Sequence, residues 1–250
     1  MDHDWTAAQV TNSGGQGAVL LVCEHASNFI PDDLNALGVG GDGHTSHAAW
    51  DIGALDVAIA LSRLLDAPLV AGTMSRLVYD CNRPLSAPDC IPVRSEIYHI
   101  PGNADLGDAD RQARFDRVHT PFHDAVTKQC GIANPSILVT IHSFAPIFNG
   151  IAREVELGFL YHAAPAAAQA MLAQEQKRDV FRSALNEPYA AKDGVTYTLD
   201  KHGEALGLPA VMIEIRNDLI DTAEKAQAMA QHLSVSLNAA FPDLRQQAAE

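Results

Sequence analysis

No uninterrupted apolar run in the 250-residue chain approaches the eighteen or so residues that a membrane span needs, so a helical membrane protein is not expected. Basic residues are scarce: 17 Lys and Arg stand against 31 Asp and Glu, a formal net charge of −14. A field of that sign repels phosphate backbones and anionic bilayers, so neither nucleic acid nor a membrane is expected as a partner. The four cysteines, Cys23, Cys81, Cys90 and Cys130, form no CxxC pair and keep no regular spacing. They read as reduced thiols of a cytoplasmic protein, not as a disulfide framework or a thiolate zinc site. Residues 1–17 lack a basic stretch followed by an apolar one, so no signal peptide is expected. They are read as a flexible leader ahead of a single domain over 18–250. There is no internal repeat, no linker, no HExxH and no GxSxG elbow.

What is present alternates strands with helices. Ala18–Cys23 is a continuous apolar run ending at Glu24-His25, and Ser136–Ile141 is a second one ending at His142. Leu208–Ile215 is a third, with Glu214 near its end; Leu69–Gly72 and Glu156–Tyr161 are shorter extended pieces. Runs of this kind are strands buried on both faces, as in a parallel sheet. Apolar residues at helical spacing over 46–65, 108–129, 163–173 and 221–239 predict the helices. The expected fold is a single α/β domain, a mostly parallel central sheet with helices on both faces. Residues 84–107, with four prolines and little periodicity, read as a functional loop or lid.

In open α/β sheets ligands bind beyond the carboxyl ends of the strands, and three strands here end at ionisable residues: Glu24-His25, His142 and Glu214. Two histidines and nearby carboxylates at one sheet edge can hold a zinc ion with an open position, although each histidine could equally cap its strand with a hydrogen bond. On the predicted helix from 46, His47 and Asp51 fall at i,i+4 and either could complete the ligand set; Asp51 could also be an acid favoured by the helix dipole. Ser75–Pro84 packs Arg76, Asp80, Asn82 and Arg83 into one stretch. Guanidinium forks bind carboxylates bidentately, so an anionic small-molecule substrate is expected; Arg76 paired with Asp80 would still leave Arg83 free. Arg216 is a further candidate anion contact. His119 and His123 share a helix face and read as surface or boundary histidines. His202 is the remaining histidine expected to reach the site, as a donor to a developing oxyanion.

Four segments, Cys23–Asn28 (CEHASN), His47–Asp51 (HAAWD), Ser75–Pro84 (SRLVYDCNRP) and Ile141–Phe144 (IHSF), resemble the N-formylglutamate amidohydrolase family in the same order. The resemblance implies a fold like that of zinc-dependent exopeptidases and aminoacylases, and the cleavage of N-formyl-L-glutamate into formate and glutamate. It implies zinc, or another divalent metal, on His25, Asp51 and His142. Pro209–Glu214 resembles the PAV-x-x-E context of related zinc amidases, which makes Glu214 the general base and then acid. Arg76, Asn82 and Arg83, with Arg216 as a further contact, would hold the substrate carboxylates. The family's Pro-His-Ser/Ala-Gly is Glu24-His25-Ala26-Ser27 here, so Glu24 is an added charge, either a ligand or a carboxylate that orients one. Three other activities remain compatible with the residues: a zinc aminoacylase or amidase for another acyl group, a non-catalytic sensor of acidic metabolites, and a serine hydrolase using Ser27 or Ser143.

Overall fold

The structure, a computed structural model, describes residues 5–242. Five apolar runs become strands of one seven-stranded sheet: β2 (Val19–Cys23), β3 (Leu69–Gly72), β6 (Ile137–Phe144), β9 (Leu157–Leu160) and β11 (Ala210–Arg216). Nearly every residue in them is buried. Burying one Val, Leu or Ile contributes about 1.5–3 kcal/mol, more than the roughly 1 kcal/mol span of strand propensity, so the apolar run itself dictates the strand. With β1 (Ala8–Thr11) and β10 (Ser183–Leu185) at the edges, the order is β1-β3-β2-β6-β11-β9-β10, parallel from β3 to β11, with β9 antiparallel to β11. This is the mostly parallel α/β sheet expected of the sequence.

Alternation along the central strands divides the core in two. Val19, Leu21, Cys23, Ile137, Val139 and Ile141 face the layer of α1 (Ala54–Leu64), α4 (Ala166–Arg178) and α5 (Ala223–Ala240). Leu20, Val22, Leu138 and Met212 face the other way, toward Val118, Phe122 and Val126 of the helical run formed by α2 (Asp108–Arg114) and α3 (Thr120–Ala133). A π-helical turn, Phe115–His119, joins α2 to α3. From β2 the chain crosses through α1 to β3 on one side, whereas β6 pairs on the other side. The order therefore reverses between β2 and β6, and a crevice opens at such a switch point.

Two readings of the sequence are corrected. Ala8–Thr11, within the supposed flexible leader, forms β1, an antiparallel edge strand on β3; residues 1–4 lie outside the described part. The first helix starts at Ala54 rather than 46, because Gly53 takes a left-handed φ of 79° and a Cβ there would sit 2.2 Å from the Ile220 carbonyl. His47 and Asp51 thus lie on a turn-rich loop, not on one helix face. The proline-rich 84–107 segment carries a small hairpin, β4 (Arg94–Ser95) with β5 (Tyr98–His99). A second hairpin, β7 (Ile147–Phe148) with β8 (Ile151–Ala152), follows β6, and β10 (Ser183–Leu185) closes the far edge of the sheet.

Candidate active site

A cavity of about 340 Å³ lies over the carboxyl ends of β2, β6 and β11, with His25, Asp51, Arg76, Asp80, His142 and Glu214 on its inner wall. That volume is within the range of small-molecule sites. Strand parity explains the convergence. His142 lies on the α3 side of β6 with Leu138, Glu214 lies on the same side of β11 with Met212, and the two are register partners. Extending the β2–β6 register beyond Val22↔Thr140 brings Glu24 level with His142. The chain turns inward after β2, and a backbone bond from Asp51 N–H to the His25 carbonyl (2.9 Å) draws the 46–53 loop over it. Gly72 on β3 permits that turn, since a Cβ there would meet the Glu24 carbonyl at 2.2 Å.

Both histidine rings offer Nδ1 to one Asp51 oxygen: His142 Nδ1 is 2.9 Å and His25 Nδ1 3.4 Å from Asp51 Oδ2. One ligating atom from each of His25, Asp51 and His142 lies within 4.8 Å of the other two. The opposite nitrogen of each ring faces a different carboxylate. His25 Nε2 is 2.7 Å from Asp80 Oδ1, and His142 Nε2 is 3.0 Å from Glu24 Oε2. Asp80, hydrogen-bonded to His25 Nε2, holds the proton there and turns a basic Nδ1 toward an ion, while Glu24 faces His142 Nε2 as an ion-pair partner. His25 Nδ1 is buried with no hydrogen-bond partner, which an ion would supply. Two imidazole nitrogens and a carboxylate suit zinc, and the donor set fits.

The electrostatics are those of a mutually supported charge cluster. Burial opposes protonation of His142, yet Glu24 and Asp51 outweigh it and hold its pKa well above the usual histidine value. Burial likewise pushes the Asp51 and Asp80 carboxyls up, but His25 and the neighbouring cations hold both well below the ordinary range. Arg76 spans the two carboxylates, Nη1 at 3.4 Å from Asp51 Oδ1 and Nη2 at 3.0 Å from Asp80 Oδ2. Glu214 behaves oppositely: burial pushes its carboxyl up to about 7, against the pull of His142. An acid poised near neutrality beside a cluster of ligands is suited to proton transfer.

The remaining sequence candidates fall in different places. Glu24 partners His142 rather than its neighbour His25, and it does not line the cavity. Asn82 lines it, but its amide bridges the Val195 carbonyl and Thr198 N–H, fastening a distant loop. Arg83 is not free: it donates to Asp89 (3.0 Å) and to the carbonyls of Asn82, Gly194 and Asp193. Arg216 leaves the cavity wall altogether and pairs with Asp218 (2.8 Å) and Glu156 (3.3 Å), so its proposed anion contact is withdrawn. His202 is also absent from the wall. It is buried against His123, with Nε2 2.7 Å from His123 Nδ1, which removes it as an oxyanion donor. Ser27 Oγ and Ser143 Oγ engage Phe29 N–H and the Ile52 carbonyl, not a histidine, so neither is set up as a nucleophile.

Several wall residues have no function in the sequence reading, Asp80 and Tyr189 among them, and His47 enters it only as an alternative to Asp51 in the ligand set. Asp80 was read only as the partner of Arg76, because the i,i+4 spacing is visible in the chain and its contact with His25, 55 residues away, is not. His47 lies on the wall with Nδ1 3.9 Å from Asp51 Oδ1, and burial pushes its pKa down to about 4, so it is neutral. Tyr189 stands at the mouth, in a stretch with no readable pattern.

The model of the N-formylglutamate amidohydrolase family matches residues 17–221. A crystal structure of a gene product from Agrobacterium tumefaciens is similar at 46% identity, covers 96% of both chains and superposes with a TM-score of 0.92. The N-formylglutamate amidohydrolase from Ralstonia eutropha JMP134 is similar in fold, with a TM-score of 0.67 over 97% of this chain and 99% of that one at 18% identity. No curated protein matches the chain.

Proposed function

The chain belongs to the N-formylglutamate amidohydrolase family, and from that premise we propose that it is a metal-dependent amidohydrolase that cleaves the amide of an N-acylated acidic amino acid, N-formylglutamate in the first instance. The observation that carries this reading is the arrangement of His25 and His142. Both turn Nδ1 to Asp51 while Asp80 and Glu24 occupy their Nε2 atoms, with Glu214 beside them on the next strand. His25, Asp51 and His142 would hold a zinc or similar divalent ion. Such an ion acidifies a water and polarises a scissile carbonyl.

The chain's own residues perform the remaining work. Glu214, half-ionised near neutrality, takes a proton from the attacking water and returns it to the departing amine nitrogen, which then leaves as a neutral amine. Arg76 fixes the free oxygen of Asp51 and keeps Asp80 ionised against His25. Asn82 and Arg83 hold the 193–198 loop against the cavity wall. His47, neutral and on the wall, can donate or accept one hydrogen bond to bound substrate without adding charge.

The deciding experiment is metal analysis of the purified protein together with formate release from N-formylglutamate. Stoichiometric divalent metal and formate release lost on chelation are expected. Catalysis that survives complete metal removal would overturn the reading, and a panel of N-acetyl and longer N-acyl substrates would show whether the acyl group is formyl.

A further inference from the structure

An anionic substrate needs cations whose charge is not already spent, and most arginines near this cavity are spent. Arg76 is shared between two carboxylates, Arg83 is tied to Asp89 and three carbonyls, and Arg216 is paired with Glu156 and Asp218. Asp51, Asp80, Asp89, Glu96, Asp193 and Glu214 all line the same cavity, so a free dicarboxylate would be repelled unless uncommitted cations met it.

Two guanidiniums close to the cavity have no carboxylate within ion-pair distance among the described residues: Arg94 lines it, and Arg153, not itself on the wall, lies against the wall residues Phe148 and Tyr189. Arg94, on β4, lines the cavity and is exposed; its Nε donates to the Glu96 carbonyl within its own hairpin (3.0 Å), which steadies the stem and leaves the Nη groups open. Arg153 follows β8 directly. Its Nη1 donates to the Ala145 carbonyl (3.3 Å) and its Nη2 to Tyr189 Oη (3.0 Å). Its guanidinium lies over the rings of Phe148 (4.6 Å), Tyr189 (4.8 Å) and Phe144 (5.4 Å). Phe148 and Tyr189 are themselves cavity residues. Aromatic faces and neutral oxygens orient a guanidinium without neutralising it, so Arg153 is held in place with its charge intact. Arg216 supports the same base, donating to the Arg153 carbonyl at 3.4 Å.

We propose that Arg94 and Arg153, one from each hairpin flanking the mouth, receive the two carboxylates of a dianionic N-acyl amino acid, in place of the arginines of the 75–84 stretch. The assignment rests on the amidohydrolase reading for the position of the amide. Tyr189 is a positioning residue for Arg153.

Arg94→Gln and Arg153→Gln test it; Arg94 is exposed and Arg153 half-buried, and circular dichroism can verify that the variants fold. Each is expected to raise KM for N-formylglutamate about tenfold or more, the usual scale for a lost charge-assisted bond, with kcat within about threefold, the pattern of lost uniform binding. Arg153→Lys, which keeps the charge and loses the fork, should fall between. A second readout needs no turnover: glutarate should raise the Tm of the wild-type protein, and each Gln variant should lose that rise. If the wild type releases formate and a variant keeps both its KM and its glutarate shift, the assignment of that arginine is wrong while the amidohydrolase reading stands. If the wild type releases no formate but glutarate stabilises it and not the variants, the carboxylate subsite stands and the proposed reaction fails.

Discussion

Two groups of buried histidines lie in this domain and behave in opposite ways. His25 and His142 approach with ring centroids 5.0 Å apart, each with a carboxylate on Nε2 and with Nδ1 turned to Asp51. His119, His123 and His202 are packed as closely, 4.1 Å from the first to the second and 4.9 Å from the second to the third. No carboxylate touches the trio among the described residues. Burial outweighs the pull of Glu24 on His202 and of the Cys81 carbonyl on His123, lowering His123 to about 2 and His119 and His202 to about 4, whereas at the pair the carboxylates win and both pKa values rise.

Hydrogen bonding within the trio links His123 and His202 only; both ring nitrogens of His119 are buried without a hydrogen-bond partner. His123 Nε2–H donates to the Cys81 carbonyl (2.8 Å), so its Nδ1 must accept from His202 Nε2–H (2.7 Å). His119 stacks on Phe115 at 4.2 Å. Two of the three come from π-helical turns, Phe115–His119 and Leu199–Gly203, so the trio joins the helical layer to the loop that Asn82 and Arg83 hold. Burial and proximity alone do not make histidines into a site. The pair differs by having anions behind it and a third ligand candidate, Asp51, in front.

Four substitutions break or sharpen this contrast. His142→Ala should abolish metal content and formate release together; a metal-free variant with full activity would remove the basis of the proposed function. Glu214→Gln should keep its metal and lose about 10²–10⁴ in kcat, the usual share of a positioned acid–base group. A base acts only when ionised, so the wild-type kcat/KM should fall as pH drops through the Glu214 pKa. That pKa is about 7 in the ion-free chain and lower once a cation sits nearby. The Gln variant should lack this acid limb, and a limb unchanged in it would assign the titration elsewhere. Glu24→Gln keeps the shape and removes the charge behind His142; chelator competition should show metal binding weakened about 10–100-fold, and unaltered affinity would make Glu24 a bystander. Smallest in its effect on the site, His123→Ala should leave metal stoichiometry intact while urea denaturation records a loss of about 2–4 kcal/mol from the cavity and the broken bonds. Loss of metal in that variant would erase the distinction between the two groups.

Much of this was legible in the chain. A strand buried on both faces is apolar over most of its length, so an ionisable residue in or just after such a run stands out: His25 follows β2, whereas His142 and Glu214 lie within β6 and β11, each two residues before the strand ends. The 46–65 stretch misled because its apolar spacing continues into a turn that a single left-handed glycine imposes. His119 and His123 read as surface or boundary side chains because an amphipathic spacing does not say what covers the helix, and nothing in the spacing shows that His202 packs against them.

By itself, then, the sequence determined the α/β alternation, the strand ends that carry the ligand candidates and the acidic character of the chain. These depend on burial and charge, which are properties of local composition. Only the tertiary structure decided that Glu24 serves His142 and not His25, that Asp80 serves His25, that Arg83 and Arg216 are spent on loops, and that Arg94 and Arg153 are not. Those pairings follow from the β2–β6 register and from which side of a strand or hairpin each side chain leaves. Those of Glu24 with His142, of Asp80 with His25 and of Arg153 with Tyr189 join residues tens of positions apart, and no spacing along the chain encodes them.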